Sequence, residues 1–259
     1  MNNGSLGFIV NADDLGLNSM TNLAIVKSLL SGDVSSATIM SNMPAFDEAC
    51  SLLAQHKIHD CIGIHLNLAG GPPLTSLISR LPRFCNDQGY FDFKLPRRVL
   101  RLKSYEGEAL YQEMDAQVER VLKAGIRPTH VDSHQHIHTV WPIGAIVIDL
   151  ARKHGLPAVR IARNIGRTPS VAKRVYKRLY NRRLEAYGLK RTEWLGHAGE
   201  ASRQLKELRG LTEIVVHPCF DADGNVVDRS GGKDTLLRKA LDVFRLAGPF
   251  HSFGMFRSM

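Results

Sequence analysis

Phe8-Ile9-Val10-Asn11-Ala12-Asp13-Asp14-Leu15-Gly16 is the stretch that decides the fold. Three apolar residues suited to a buried strand run directly into Asn11 and two aspartates. A dinucleotide-binding fold would place a G-x-G-x-x-G turn after its first strand, and two carboxylates in that turn would repel a pyrophosphate. The pattern that follows alternates short β-rich runs with longer stretches of helical period. Strands are expected at 8–11, 36–40, 61–68, 129–132, 158–162, 193–195 and 213–217. Helices are expected at 20–30, 45–56, 106–124, 143–154, 202–209 and 235–246, and Gly125, Gly155 and Gly210 fall where left-handed caps end helices. Alternating βα units imply parallel strands covered on both faces, hence a (β/α) barrel or an open doubly wound sheet.

The 259 residues are 44% hydrophobic and 23% charged, a balance that excludes disordered, collagenous and repeat architectures. One domain over 1–259 is expected, with a Pro- and Gly-rich surface excursion at 70–103 and a basic insertion at 167–191. The amino terminus shows no secretory signal, and the apolar run at 143–150 is broken by Asp149 and is too short to span a bilayer. Cys50, Cys61, Cys85 and Cys219 form no C-x-x-C pair, which excludes a zinc ribbon or thioredoxin motif and fits a reduced, cytoplasmic compartment. The net charge is +9, but nine Lys and Arg against Glu185 alone between Arg167 and Arg191 supply eight of those charges. The rest of the chain is close to neutral, and no nucleic-acid recognition motif accompanies the basic segment, so no nucleic acid is expected as partner.

The unusual polar residues gather at the carboxyl ends of the expected strands. Asp13 and Asp14 follow the first, and His65 lies late in the third. Asp132, His134, His136 and His138 follow the fourth, Arg160 and Arg163 close the fifth, and His217 ends the last. In a barrel these ends share one rim. In His130-Val131-Asp132-Ser133-His134-Gln135-His136-Ile137-His138, ionisable groups recur at every second residue, so on an extended segment they would face one side and suit a metal ion. One or two of these histidines would suffice as ligands; the others, with Asp132, would then orient ligands or substrate. Each feature alone has a plainer reading. An H-x-H can be a solvated loop, Asp13-Asp14 a helix cap, His65 a hydrogen-bonded core residue and His217-Pro218 a strand end. Their coincidence on one rim favours a shared site.

Ile9 to Gly16, Gly63-Ile64-His65-Leu66-Asn67-Leu68, the His130–His138 motif and Val215-Val216-His217-Pro218 occur in the order found in the YdjC-like carbohydrate deacetylases, and the chain resembles that family over most of its length. The resemblance implies a deformed, incomplete (β/α) TIM-like barrel and a metal-dependent hydrolase that removes N-acetyl groups from acetamido sugars, oligosaccharides or lipid-linked glycans. It makes Asp14, His65 and His134 ligands of one divalent ion (Zn or Mg foremost, with Mn or Fe as alternatives), Asp13 the catalytic base and His217 the candidate acid. Asp132, His136, His138 and Arg160 fall to orienting or substrate-binding roles. Two departures stand out: Leu15 replaces the more usual Phe, and Cys219 replaces a common Gly, which raises the question of whether the turn after His217 needs a positive φ.

Two His and a carboxylate also form the facial triad of non-haem iron oxygenases, the rival enzyme class. In the basic segment, Val171, Val175 and Leu179 recur four apart with Tyr176 and Tyr180 on the adjoining stripe and cations on the other side. Such a helix either docks by its apolar stripe or lies on an anionic membrane, tyrosines at the headgroups, with Lys173, Arg174, Lys177 and Arg178 meeting the lipid or an anionic substrate. The chain is therefore expected in the cytoplasm or peripheral at the membrane's inner face, and an oligomer is compatible with the sequence.

Overall fold

The computed structural model describes residues 6–168, 170–230 and 235–257; residues 1–5, part of the stretch read for a secretory signal, lie outside them. A parallel sheet runs in the order β4 (Val131–Ser133), β3 (Ile62–Leu66), β2 (Ser36–Ile39), β1 (Gly7–Leu15), β6 (Leu211–Val216), β5 (Trp194–His197). Every residue of β1 to β4 is buried, as strands covered on both faces require, which is why Phe8, Ile9 and Val10 can follow one another without alternation. The chain returns from strand to strand through α1 (Ser19–Leu30), α2 (Phe46–Gln55), the short α3 (Ser76–Ser79) with α4 (Ser104–Lys123), α5 (Trp141–Lys153), α6 (Val171–Ala186) and α7 (Ala198–Arg203), and α8 (Leu237–Ala247) follows the sheet.

The sheet curls until its edges approach. Val159 bridges Val131 of β4, Ala158 bridges Lys190, and the amides of Asn164 and Ile165 donate to Leu195 O of β5 at 3.2 and 3.0 Å. The expected strand at 158–162 is present only as these isolated bridges; Pro157, just upstream, has no N–H with which to extend the ladder. The result is a half-barrel, an incomplete α/β barrel of one domain.

Two further elements differ from expectation. The helix expected at 202–209 begins earlier, as α7, and breaks at Leu205–Glu207 into a 3-10 turn, after which Leu208 is extended and buried. A hairpin of β7 (Pro218–Phe220) and β8 (Val226–Asp228) was not foreseen. Asp221 Oδ1 accepts from the amides of Asp223 and Asn225, and Gly224 takes φ +79°. Cys219 pairs with Val227 in this hairpin, so no positive φ is needed after His217.

The basic helix docks with a different face from the one expected. Tyr180 and Leu184 are buried, Tyr176 donates to Thr139 O at 2.6 Å, and Arg183 lies over the Trp141 ring at 4.9 Å. The tyrosines thus anchor α6 to the body instead of meeting a membrane. Val171, Val175 and Leu179 are exposed, and Arg174, Arg178 and Arg182 are exposed with them rather than lying on the opposite side.

Candidate metal centre

A regular strand points successive side chains to opposite faces, so Asp13 and Asp14 should diverge. They do not, because β1 carries one extra residue against β2: Ala12 pairs with Ala37 and Leu15 with Ile39. Asp14 occupies that bulge at φ +74°, a left-handed conformation that costs a non-glycine residue about 1–2 kcal/mol. Both carboxylates consequently approach His65 Nε2, Asp14 Oδ1 at 3.3 Å and Asp13 Oδ2 at 3.9 Å.

His65 comes from β3, where register sets it beside Asp132 of β4. Its Nδ1 pairs with Asp132 Oδ1 at 2.6 Å and Thr38 Oγ1 at 3.1 Å, which fixes the ring and turns Nε2 toward the aspartates. Gly63, two residues earlier, is needed for close approach: a Cβ there would sit 2.4 Å from the His130 ring. His134 follows β4 directly, and its Nδ1 lies 2.9 Å from Asp14 Oδ1. Asp14, His65 and His134 thus offer three donor atoms within 4.8 Å of one another; Asp13, His65 and Asp132 form a second such group.

The alternation expected through 130–138 fails after Ser133. Residues His134–Thr139 wind into a 3-10 turn in which Gln135 and His136 have φ near +53° and +54°, so the histidines scatter. His138 turns back to Ser133, its Nδ1 2.7 Å from the hydroxyl, and is buried. His130 stacks on Phe253 at 3.7 Å in the core. His136 lines a neighbouring cleft. Burial holds all three well below the usual histidine range, His136 at about 3, so they are neutral.

Arg160 is buried beneath the cluster. It donates to both oxygens of Asp13 at 2.7 and 2.8 Å and to Glu213 Oε1 at 2.7 Å, and it pairs with Asp132. It is therefore a clamp under the carboxylates and does not face the solvent. Burial alone would raise the Asp13 pKa, but Arg160 and His65 hold it well below the carboxylate range. Asp14 is likewise low, its burial outweighed by His134 and His65. Burial disfavours charge on His65, yet Asp132 and Asp13 push it up to about 10. Glu213 is pushed up to about 7 by burial, with Arg160 opposing. Glu213 and Thr38 were missed from sequence, although a Glu between Thr212 and Ile214 in a buried strand was a visible anomaly.

His217 directly follows β6 and is fixed by the hairpin: Asp228 Oδ1 accepts its amide at 2.8 Å, and Ser230 Oγ lies 2.6 Å from Nδ1. Its ring centroid is 6.1 Å from that of His197. His197 in turn lines a cleft of about 790 Å³ with Arg97, Arg98, Arg163, Lys173 and Lys177. Of the four cations expected to meet lipid or anionic substrate, Lys173 and Lys177 border this cleft, while Arg174 and Arg178 are exposed.

The family model for YdjC-like proteins matches residues 7–243. The chain belongs to the YdjC-like family. Among its relatives, a carbohydrate deacetylase of Halalkalibacterium halodurans is 34% identical over 82% of this chain and 84% of its own length. One of Vibrio cholerae is 36% identical over 82% and 78%, and one of Vibrio parahaemolyticus 31% over 93% and 88%. A solved structure from Enterococcus faecalis, assigned to cellobiose-phosphate cleavage, superposes with a TM-score of 0.71 at 21% identity over 99% of this chain and 100% of that one, a likeness of fold.

Proposed function

We propose that this member of the YdjC-like family is a metal-dependent carbohydrate N-deacetylase. The observation that carries the metal dependence is the convergence of Asp14, His65 and His134 from three strand ends to within 4.8 Å. The names of the relatives support the reaction class. The donor set fits a cation on two further counts. Among the described residues, His65 Nε2 is buried without a well-aligned hydrogen bond and is aimed at two carboxylates. Asp13, Asp132 and Glu213 also pair with the single guanidinium of Arg160, while Asp14 faces His65 and His134, an acid excess that a divalent ion offsets.

Asp14, His65 and His134 would hold the ion, with Asp132 orienting His65 through Nδ1. A divalent ion in such a site lowers the pKa of its water and polarises the substrate carbonyl. Asp13 would accept a proton from the water that attacks the acetamide carbon; the Arg160 clamp keeps Asp13 ionised and aimed. His217, its Nδ1 turned to Ser230, offers Nε2 to protonate the amine as the C–N bond breaks. Acetate and a free amino sugar leave. The substrate is an acetamido sugar on an oligosaccharide or a lipid carrier, and zinc or magnesium is the favoured ion.

The test pairs metal analysis with acetate release from N-acetylated sugars. Asp13→Asn should retain metal and lose turnover about 10²–10⁴-fold, whereas His134→Ala should lose both. Full metal content in His134→Ala, or full turnover in Asp13→Asn, would overturn the assignment.

A further inference from the structure

Two segments far apart in the sequence present the same chemistry on two rims of the cleft that His136 and His197 line. On one rim, α6 exposes Val171 at 63%, Val175 at 47% and Leu179 at 50%, beside exposed Arg174, Arg178 and Arg182. On the other, Leu100 is 66% exposed between exposed Arg98 and Arg101. Leu100 and Arg98 from one segment and Ala172 and Lys173 from the other line the same cleft, so both apolar-and-basic patches border its mouth. The helix is already anchored by Tyr176, Tyr180 and Leu184, which leaves its outward stripe without a packing role in the body.

We infer that these two rims together form a surface that seats the protein on an anionic lipid bilayer, with the cleft opening at the headgroup layer. Valine and leucine side chains bordered by arginines match the boundary between acyl chains and phosphates, where both are satisfied at once. A nucleic acid would meet the arginines but gain nothing by covering the apolar stripe. A second copy of this chain would bring arginines against arginines, since the acid on this helix, Glu185, already pairs with Arg191. The seating deepens the deacetylase reading, on which this step rests: the substrate is a sugar carried on a membrane lipid, its headgroup entering from the bilayer while its anchor stays there.

The experiment is flotation of the full chain with vesicles of phosphatidylcholine alone and of phosphatidylcholine mixed with phosphatidylglycerol, beside hydrolysis of a soluble N-acetylated sugar. The wild type should float with the anionic vesicles only. A Val175→Asp/Leu179→Asp variant should bind them about tenfold more weakly while hydrolysing the soluble sugar at the wild-type rate, which shows that it is folded. Leu100→Asp, on the other rim, should weaken flotation as well. Wild type remaining with the unbound protein, or equal flotation of wild type and the α6 variant, overturns the inference. So does a wild-type dimer in solution that the α6 variant converts to monomer, because a second copy would then cover the stripe. Loss of soluble-sugar hydrolysis by the wild type strikes at the deacetylase reading alone and leaves the flotation result to stand.

Discussion

The buried cluster and the open cleft hold charge in opposite ways. Around Arg160, four acidic side chains, two histidines and one guanidinium form a chain of ion-pair contacts, and all but His134 are almost wholly withdrawn from water. Along the cleft, Arg97, Arg98, Arg163, Lys173 and Lys177 border open space, and Arg163 has only a 3.5 Å contact with Glu200. Charges in the first region must satisfy one another, so each removal strands a neighbour; charges in the second are hydrated and can be removed singly. The same types of residue therefore answer to one another in one place and to water in the other.

The comparison breaks most visibly at Arg160. Arg160→Met keeps the volume but leaves Asp13 and Asp132 buried without their cation, and should cost about 3–5 kcal/mol of unfolding free energy in urea. A loss within about 1 kcal/mol would mean that the cluster is wetter than its burial implies. A smaller effect is expected at His138, which burial keeps neutral. Its folded pKa lies below the unfolded value, so its contribution is present above about pH 6.5 and is lost as the pH falls through that value. His138→Asn should flatten the decline in stability below pH 6.5, by at most about 1.4 kcal/mol per pH unit; an unchanged slope would show that the ring is charged in the folded state. The smallest effect belongs to the cleft. Arg98→Ala/Lys173→Ala should leave unfolding within about 0.5 kcal/mol of wild type. It should raise KM for an anionic acetylated sugar several-fold at low salt, a difference that shrinks as salt screens it. A fall in kcat with KM unchanged would instead place these cations in the chemical step.

Much of this was legible because barrels impose order on sequence. Apolar runs ending in Asp13-Asp14, His65 and His134 gave the strands, their parallel sense and the rim on which chemistry collects. Where the reading failed, backbone departures caused it. Alternation through 130–138 assumed an extended chain, and two left-handed residues, Gln135 and His136, sent His138 into the core. Arg160 and Glu213 were visible as ions inside apolar strands, but the partners of Arg160, namely Asp13, Asp132 and Glu213, come from three other strands, beyond any periodicity. On α6 the four-residue spacing of Val171, Val175 and Leu179 did not mark the docking stripe, which is that of Tyr180 and Leu184. Which stripe packs inward was decided by Gly144, whose missing side chain makes room for Tyr180.

The bulge at Asp14 makes the centre a matter of counting. Asp13 and Asp14 are the two residues between Ala12 and Leu15, so a chain one residue shorter there would regain a regular register with β2 only by losing one of the acids proposed as ligand and base. A drift in length there would thus silence the protein while leaving its fold intact, whereas a change of length in the 221–225 turn would disturb only the hairpin that steadies His217.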